Sequence, residues 1–218
     1  MLKRIALIVG GKIHNLQSDN FQNIKVFEDI KIVDAIILAQ QLEQQGYQAI
    51  ITTLGTAAAL KGVINIPIVK ATHTLFDILT SIAAFKKQST QNHVKLFIII
   101  HKSILIDSEN LQQFFSSEIM LLYYNELNDI KNIVESIPID AKHIVIGGSS
   151  TLHYAKRIGL KAWPLYFGQE TLSVAIDKAK SILQESQEAL RFSIKMRTIL
   201  NLLDNGIIIT DSNGYITD

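Results

Sequence analysis

Ala49-Ile50-Ile51-Thr52-Thr53-Leu54-Gly55-Thr56-Ala57, followed after a short interval by Ile66-Pro67-Ile68-Val69, is the stretch whose reading decides the fold. An apolar, β-branched run ends in a Thr/Gly cluster. A short helix is predicted over Thr56–Val63, and a second apolar run carries a proline. Strand, turn, short helix and strand in that order form a βαβ unit, whose two strands lie parallel. The same order returns at Ile144-Val145-Ile146-Gly147-Gly148-Ser149-Ser150-Thr151 and Ala162-Trp163-Pro164-Leu165. The echo reads as an internal duplication; generic βαβ punctuation is the plainer alternative.

Outward from these segments the alternation continues. Strands are predicted at Ile5–Val9, Ile24–Phe27, Val94–Ile100, Ile119–Tyr123, His143–Ile146 and Ala162–Tyr166, besides the two in the opening stretch. Helical spacing occupies Asp29–Gln45, stopped by Gly46, and Leu75–Lys87, with Leu75, Ile78/Leu79, Ile82 and Phe85 on one face. It recurs over Ser108–Phe115, Leu127–Ile137 and Thr151–Ile158, whereas Lys12–Asn23 has no clear pattern. Eight strands thus fall into two sets of four, divided near residues 86–93. The expected fold class is α/β, with two similar three-layer α/β/α lobes, 1–86 and 87–168, each built on a parallel four-stranded sheet.

From Gln169 to Asn205 there is neither Gly nor Pro. At ~1.5 Å per residue this makes one helix of about 50 Å, longer than a lobe needs. Residues 169–205 are therefore read as a helix that packs on the first lobe over Leu172–Leu183 and then leads out as a linker. Its second half carries Leu190, Ile194, Leu200 and Leu203, a seam suited to a second protomer and hence to a homodimer. Residues 206–218 read as strand, Asn213-Gly214 turn and strand. A lone hairpin is marginal in water, so it is expected to open a further domain.

Composition removes several function classes. With 218 residues, 48% hydrophobic and 19% charged, the chain has ordinary globular usage. A formal net charge of +1 supplies no bulk field for nucleic acid or an anionic membrane. The absence of Cys excludes disulfides, thiolate metal sites and Cys nucleophiles, including racemases that use one Cys from each lobe. The apolar run Ile5–Val9 is too short for a secretory signal, and no run reaches the ~18 residues of a membrane span. The expectation is a cytoplasmic protein.

In open parallel sheets ligands collect at the carboxyl ends of the strands. Those ends carry Thr53-Leu54-Gly55-Thr56, Thr72-His73-Thr74, His101-Lys102-Ser103, Gly147 through Thr151, and Phe167-Gly168-Gln169-Glu170. Small hydroxyl residues and glycines that open a helix present backbone N–H groups to a carboxylate or phosphate. Alternatively, Thr56 and Thr151 serve only as helix N-caps. The candidate ligand-binding residues are Thr53, Gly55, Thr56, Thr74, His101, Gly148, Ser149 and Ser150. No catalytic residue, metal site or cofactor is predicted. Gly147-Gly148-Ser149-Ser150 lacks the P-loop frame, no G-x-S-x-G or G-x-G-x-x-G occurs, and the six histidines form no H-x-x-x-H or H-E-x-x-H pair.

Taken together, these features resemble the N-terminal sensory domain of the propionate catabolism activator family, whose members are sigma-54-dependent transcriptional activators. The resemblance covers roughly residues 1–190 and is carried by Ala49–Ala57, Ile66–Val69, Phe76-Asp77-Ile78-Leu79, Val145-Ile146-Gly147-Gly148, and Gln169-Glu170-Thr171-Leu172 with Ala175, Ile176 and Ala179. It implies two chelatase-like lobes with an effector site between them for a small organic acid such as 2-methylcitrate, or another small anion. Residues Leu203–Ile216 look like the start of a PAS domain; AAA+ ATPase and helix-turn-helix domains would follow, leaving no nucleic-acid contact to this segment. The sequence departs from the family pattern at Gly10–Asn23, which is short and polar, and at Thr53-Leu54-Gly55, where a Gly-richer turn is common. The function expected is a ligand-sensing input domain that relays lobe closure through the long helix. The alternatives are a small two-lobed lyase or chelatase-like enzyme and a dimerisation module.

Overall fold

The computed structural model describes residues 4–11, 13, 24–89, 93–104, 118–202 and 211–216. The helix expected over Ser108–Phe115, most of Lys12–Asn23, Leu203 and the flanks of the terminal hairpin lie outside them. Two compact units form, Met1–Ala179 and Lys180–Asp218.

The first unit contains two four-stranded sheets. One joins β1 (Ile5–Ile8), β2 (Ile24–Phe27), β3 (Ala49–Thr53) and β4 (Ile68–Ala71) in the order β2-β1-β3-β4. The other joins β5 (Lys95–His101), β6 (Glu118–Tyr124), β7 (His143–Gly147) and β8 (Lys161–Pro164) in the order β6-β5-β7-β8. Every pairing is parallel, and the second order repeats the first. The central strands are the unbroken apolar runs: all of β1 is buried, as are Leu96 through Ile100 of β5. Helices on both faces leave such strands no solvated side, so their sequences do not alternate. Edge strand β6 is buried only in part.

Helices α1 (Ile32–Gln44), α2 (Leu54–Leu60), α3 (Leu75–Gln88), α4 (Asp129–Glu135) and α5 (Ser149–Arg157) fill the crossovers. Ala35, Ala39 and Leu42 of α1 and Leu60 of α2 pack with Ala6, Ile8 and Ile50 on the first sheet. Ile130 and Val134 of α4 and Ala155 of α5 pack with Phe97, Ile99 and Val145 on one face of the second. That sheet's other face is covered by Ile78, Ile82 and Phe85 of α3, against Leu96, Ile98, Ile144 and Ile146. Ile78, Ile82 and Phe85, which lie within residues 1–86, are thus contributed to the core built on the second sheet. After β8 the chain enters α6 (Gln169–Leu202), whose Leu172, Ala175, Ile176 and Ala179 are buried.

Three local readings shift. Strand β4 starts at Ile68 rather than Ile66, because Pro67 has no N–H for the ladder and enters only as acceptor, from the Ile50 N–H at 2.9 Å. The two prolines of the echoed segments are not equivalent: Pro67 precedes β4, whereas Pro164 closes β8 opposite Gly147. Helices α2 and α5 begin at Leu54 and Ser149, two residues before the predicted starts.

The second unit comprises the helical residues from Lys180 to Leu202 and the turn at 211–216. Leu190, Phe192, Ile194, Met196, Ile199 and Leu202 are exposed, Leu202 to 77%. In the turn, the Asp211 carboxylate accepts from the Asn213 and Tyr215 N–H groups, both at 2.9 Å, and Gly214 takes φ +84°. Among the described residues no helix is long and apolar enough to cross a membrane.

Candidate functional site

A parallel sheet sends each strand's carboxyl end toward the start of the following helix, and both sheets do so around one cavity. Its wall takes Thr53 from β3, Ala71 with Thr72 and His73 after β4, and Ile99 to His101 from β5. Tyr124 comes from β6, Gly148 follows β7, and Leu165 and Phe167 follow β8. Ile32, Leu54 to Thr56, Leu127, Ile130 and Ser149 to Thr151 complete it from the starts of α1, α2, α4 and α5. The volume is about 90 Å³. A single water needs roughly 10–15 Å³, so the space suits one small molecule.

Seven of the eight candidate residues line this cavity: Thr53, Gly55, Thr56, His101, Gly148, Ser149 and Ser150. Thr74 is not among the lining residues. Its hydroxyl accepts from the Asp77 N–H at 3.4 Å while the Asp77 carboxylate accepts from the Thr74 N–H at 2.9 Å, a reciprocal capping box on α3. The N-cap reading of Thr56 and Thr151 is corrected. The N-cap positions belong to Thr53 and Gly148, and neither makes a side-chain capping bond. Thr56 and Thr151 sit in the first helical turns, both buried, and Thr53 donates to the Thr56 hydroxyl at 3.2 Å.

Glycine at two positions lets the walls approach. A Cβ on Gly55 would stand 2.8 Å from the Leu127 side chain, and one on Gly10 would stand 2.6 Å from Ser149 Oγ. Residues of the first half of the chain therefore touch the second half at both positions.

Two histidines line the cavity in different states of engagement. His101 Nδ1 accepts from the Ser103 N–H at 3.1 Å and lies 2.7 Å from the Ser103 hydroxyl, while Nε2 lies 3.1 Å from the Asn125 carbonyl. A carbonyl only accepts, so Nε2 is the donor and Nδ1 the acceptor, and both nitrogens are used. The His101 ring meets Tyr124 edge-on at 5.4 Å, and burial pushes the Tyr124 phenol up from its ordinary range. His73 instead stacks on Phe167 at 3.8 Å and 10°. Its buried Nδ1 has no hydrogen-bond partner and lies 3.6 Å from Asp77 Oδ2.

In the sequence Asp77 stands only within Phe76-Asp77-Ile78-Leu79, with nothing there to give it a role at the site. Its buried carboxylate accepts from the Thr74 N–H, from the Gly168 N–H at 2.8 Å and from the Thr171 hydroxyl at 2.7 Å. Burial pushes this carboxyl up. The His73 imidazole, the Thr74 and Gly168 N–H groups and the Thr171 hydroxyl outweigh it and hold the group below the usual carboxylate range. The T-x-x-D spacing of Thr74 and Asp77 is the sequence signal for the cap. Among the described residues no His, Cys, Asp and Glu cluster could hold a metal ion.

Residues 23–189 match the sequence profile of the propionate catabolism activator N-terminal domain, well over half the chain.

The chain belongs to the propionate catabolism activator family.

Residues 23–189 form the N-terminal regulatory domain characteristic of that activator family. An NtrC family transcriptional regulator from Clostridium acetobutylicum superposes with a TM-score of 0.64 at 21% identity, over 84% of this chain and 97% of that one. At that identity the likeness speaks for the fold, two parallel four-stranded sheets with flanking helices. The ligand-free, open structure of a substrate-binding protein with adhesive properties from Clostridium difficile aligns at a TM-score of 0.31 and 9% identity, over 84% of this chain and 85% of that one. No curated protein matches the sequence.

Proposed function

We propose that this propionate catabolism activator domain is a ligand-sensing input module whose effector, a small organic acid or other small anion, occupies the cavity between the two sheets. The supporting observation is that the carboxyl ends of both sheets and the Thr53–Thr56 and Gly148–Thr151 turns meet at that one cavity. Hydroxyls of Thr56, Ser149 and Ser150 with the backbone N–H groups of the α5 start supply donors for an acid group. The test is a thermal-shift screen of small organic acids and inorganic phosphate. Stabilisation by at least one, lost in Ser149→Leu, supports the reading, and no stabilisation by any contradicts it. The domain is expected to turn over none of them, as befits a regulatory module; conversion of a bound acid faster than the solvent background would contradict this.

The relay to downstream PAS, AAA+ and helix-turn-helix domains is assigned to α6, one helix from Gln169 to Leu202. Its exposed Leu190 and Ile194 suit a helix paired with a second protomer in a homodimer. Placing Asp at both would remove burial worth about 1.5–3 kcal/mol each. Ultracentrifugation should show a dimer for the parent and a ligand-binding monomer for the double variant. A parent that is monomeric at tens of micromolar contradicts the paired helix.

A further inference from the structure

The chain between β8 and the first turn of α6 faces two ways. Leu165 and Phe167 lie on the cavity wall, while the N–H groups of the residues that alternate with them are held by α3. Tyr166 donates its N–H to the Ser81 hydroxyl at 3.0 Å, and Gly168 donates to Asp77 Oδ1 at 2.8 Å. Thr171, in the first turn of α6, donates its hydroxyl to Asp77 Oδ2 at 2.7 Å. Ser81 in turn donates to the Asp77 carbonyl at 2.8 Å, so both acceptors belong to one buried turn of α3. The approach is close: a Cβ on Gly168 would stand 2.8 Å from Asp77 Oδ1.

The repeated sheet order brings equivalent positions together here. His73 and Phe167 each stand two residues before the first helical residue, of α3 and of α6, and their rings stack at 3.8 Å and 10°. Asp77 and Thr171 are each the third residue of their helices, and they hydrogen-bond to one another. One buried carboxylate thus serves the starts of both helices. Hydrogen bonds to an ionised acceptor are roughly twice as strong as neutral ones. Coupling between elements is carried by contiguous packing and hydrogen bonds that have two discrete arrangements. The contiguous path here runs from the wall residue Phe167 through Gly168 and Asp77 to Thr171.

Building on the reading of this cavity as the effector site, we propose that Leu165–Thr171 is a strap through which cavity occupancy sets the start of α6. A molecule packed on Phe167 steadies the strap, tightens the hold of Asp77 and Ser81 on it, and orders the first turn of α6. Loss of that packing loosens the hold and lets the turn open. Phe167 is the residue that meets the occupant, and Asp77, Ser81 and Thr171 are positioning residues behind it.

Backbone amide exchange on the full chain tests this, first without ligand. In Phe167→Leu the Leu172–Ala175 amides should exchange at least about tenfold faster, measured against Ile98 in the core of β5. Leu127→Ala, a change of wall outside the strap, should leave them within about twofold. With Thr171→Val already present, Phe167→Leu should add less than about twofold, because the hold it acts through is gone. Ser81→Ala, which removes the acceptor of the Tyr166 N–H, is the second background should Thr171→Val not fold. Leu127→Ala acting as strongly as Phe167→Leu, or Phe167→Leu acting equally in both backgrounds, overturns the inference. Citrate and inorganic phosphate are then added. Whichever raises the melting temperature should slow the same amides about fivefold in the parent and less than about twofold in Thr171→Val, its Kd changing less than about threefold. A bound anion that leaves these amides unchanged in the parent overturns the inference and leaves the effector-site reading standing. Failure of both anions to bind counts against the effector-site reading, and the comparison without ligand then decides the strap by itself.

Discussion

The start of α3 and the starts of α2 and α5 solve one problem in opposite ways. Each helix follows a strand and has N–H groups in its first turn without helical partners. On α3 the chain supplies the answer itself, with Thr74 and Asp77 bonding reciprocally to each other's backbone N–H. Asp77 also takes the Gly168 N–H and the Thr171 hydroxyl, which ties the start of α6 to the start of α3. On α2 and α5 the N-cap residues Thr53 and Gly148 make no side-chain capping bond, and the first-turn residues line the cavity. Helices α1 and α4 also lack an N-cap side-chain bond and place Ile32 and Ile130 on its wall. A start closed within the chain holds the fold together, whereas a start left open is available to something that comes from outside.

The largest effect that could break this contrast is at Asp77. Asp77→Ala leaves three donors without their acceptor, each worth about 1–3 kcal/mol when buried, so a loss of at least ~3 kcal/mol in urea unfolding is expected. A loss under ~1 kcal/mol would mean that the network is not structural. The carboxyl also sets a pH dependence. Its folded value lies below the ordinary one, so its stabilisation is present above the unfolded carboxylate value near ~3.9 and is lost as pH falls through the folded value. Asp77→Asn should flatten that part of the acid limb, measured as urea midpoints from neutral pH downward. Thr74→Ala removes one arm of the capping box and should cost about 1 kcal/mol. Thr53→Ala, at an open start, should cost less than ~0.5 kcal/mol yet weaken effector binding several-fold. If Thr53→Ala destabilised the fold as much as Thr74→Ala, the two kinds of start would not differ in role.

The sequence carried the fold most clearly where strands are buried on both faces. Ile5–Ile8 and Leu96–Ile100 are unbroken apolar runs, and the matching Thr53–Ala57 and Gly147–Thr151 punctuation after two further runs foretells two similar parallel sheets. Helix α3 was legible as a helix with one apolar face, but periodicity names a face and not the sheet it will meet; Ile78, Ile82 and Phe85 lie on the second sheet. The starts of α2 and α5 were read two residues late because Thr, Gly and Ser serve equally as turn residues and as first-turn residues. Seven candidate site residues gather because strand ends in a parallel sheet share one side, a property of topology that the strand order alone supplies. Asp77 was missed as a pin since its partners Gly168 and Thr171 stand 91 and 94 residues away in sequence. The apolar wall was missed for a related reason: Leu127 and Leu165 carry no polar signal, and they reach the cavity only once both sheets are set around it.

The central claim is that an effector binds where the two open helix starts meet. A structure of the chain with the tightest-binding small acid from the thermal-shift screen tests it most directly. The account predicts the acid group in hydrogen-bond contact with the Thr53–Thr56 turn, the Gly148–Thr151 turn or both, and the ligand body against Phe167 and Leu127. An acid group that touches neither turn, with the 90 Å³ cavity left without ligand, would contradict it.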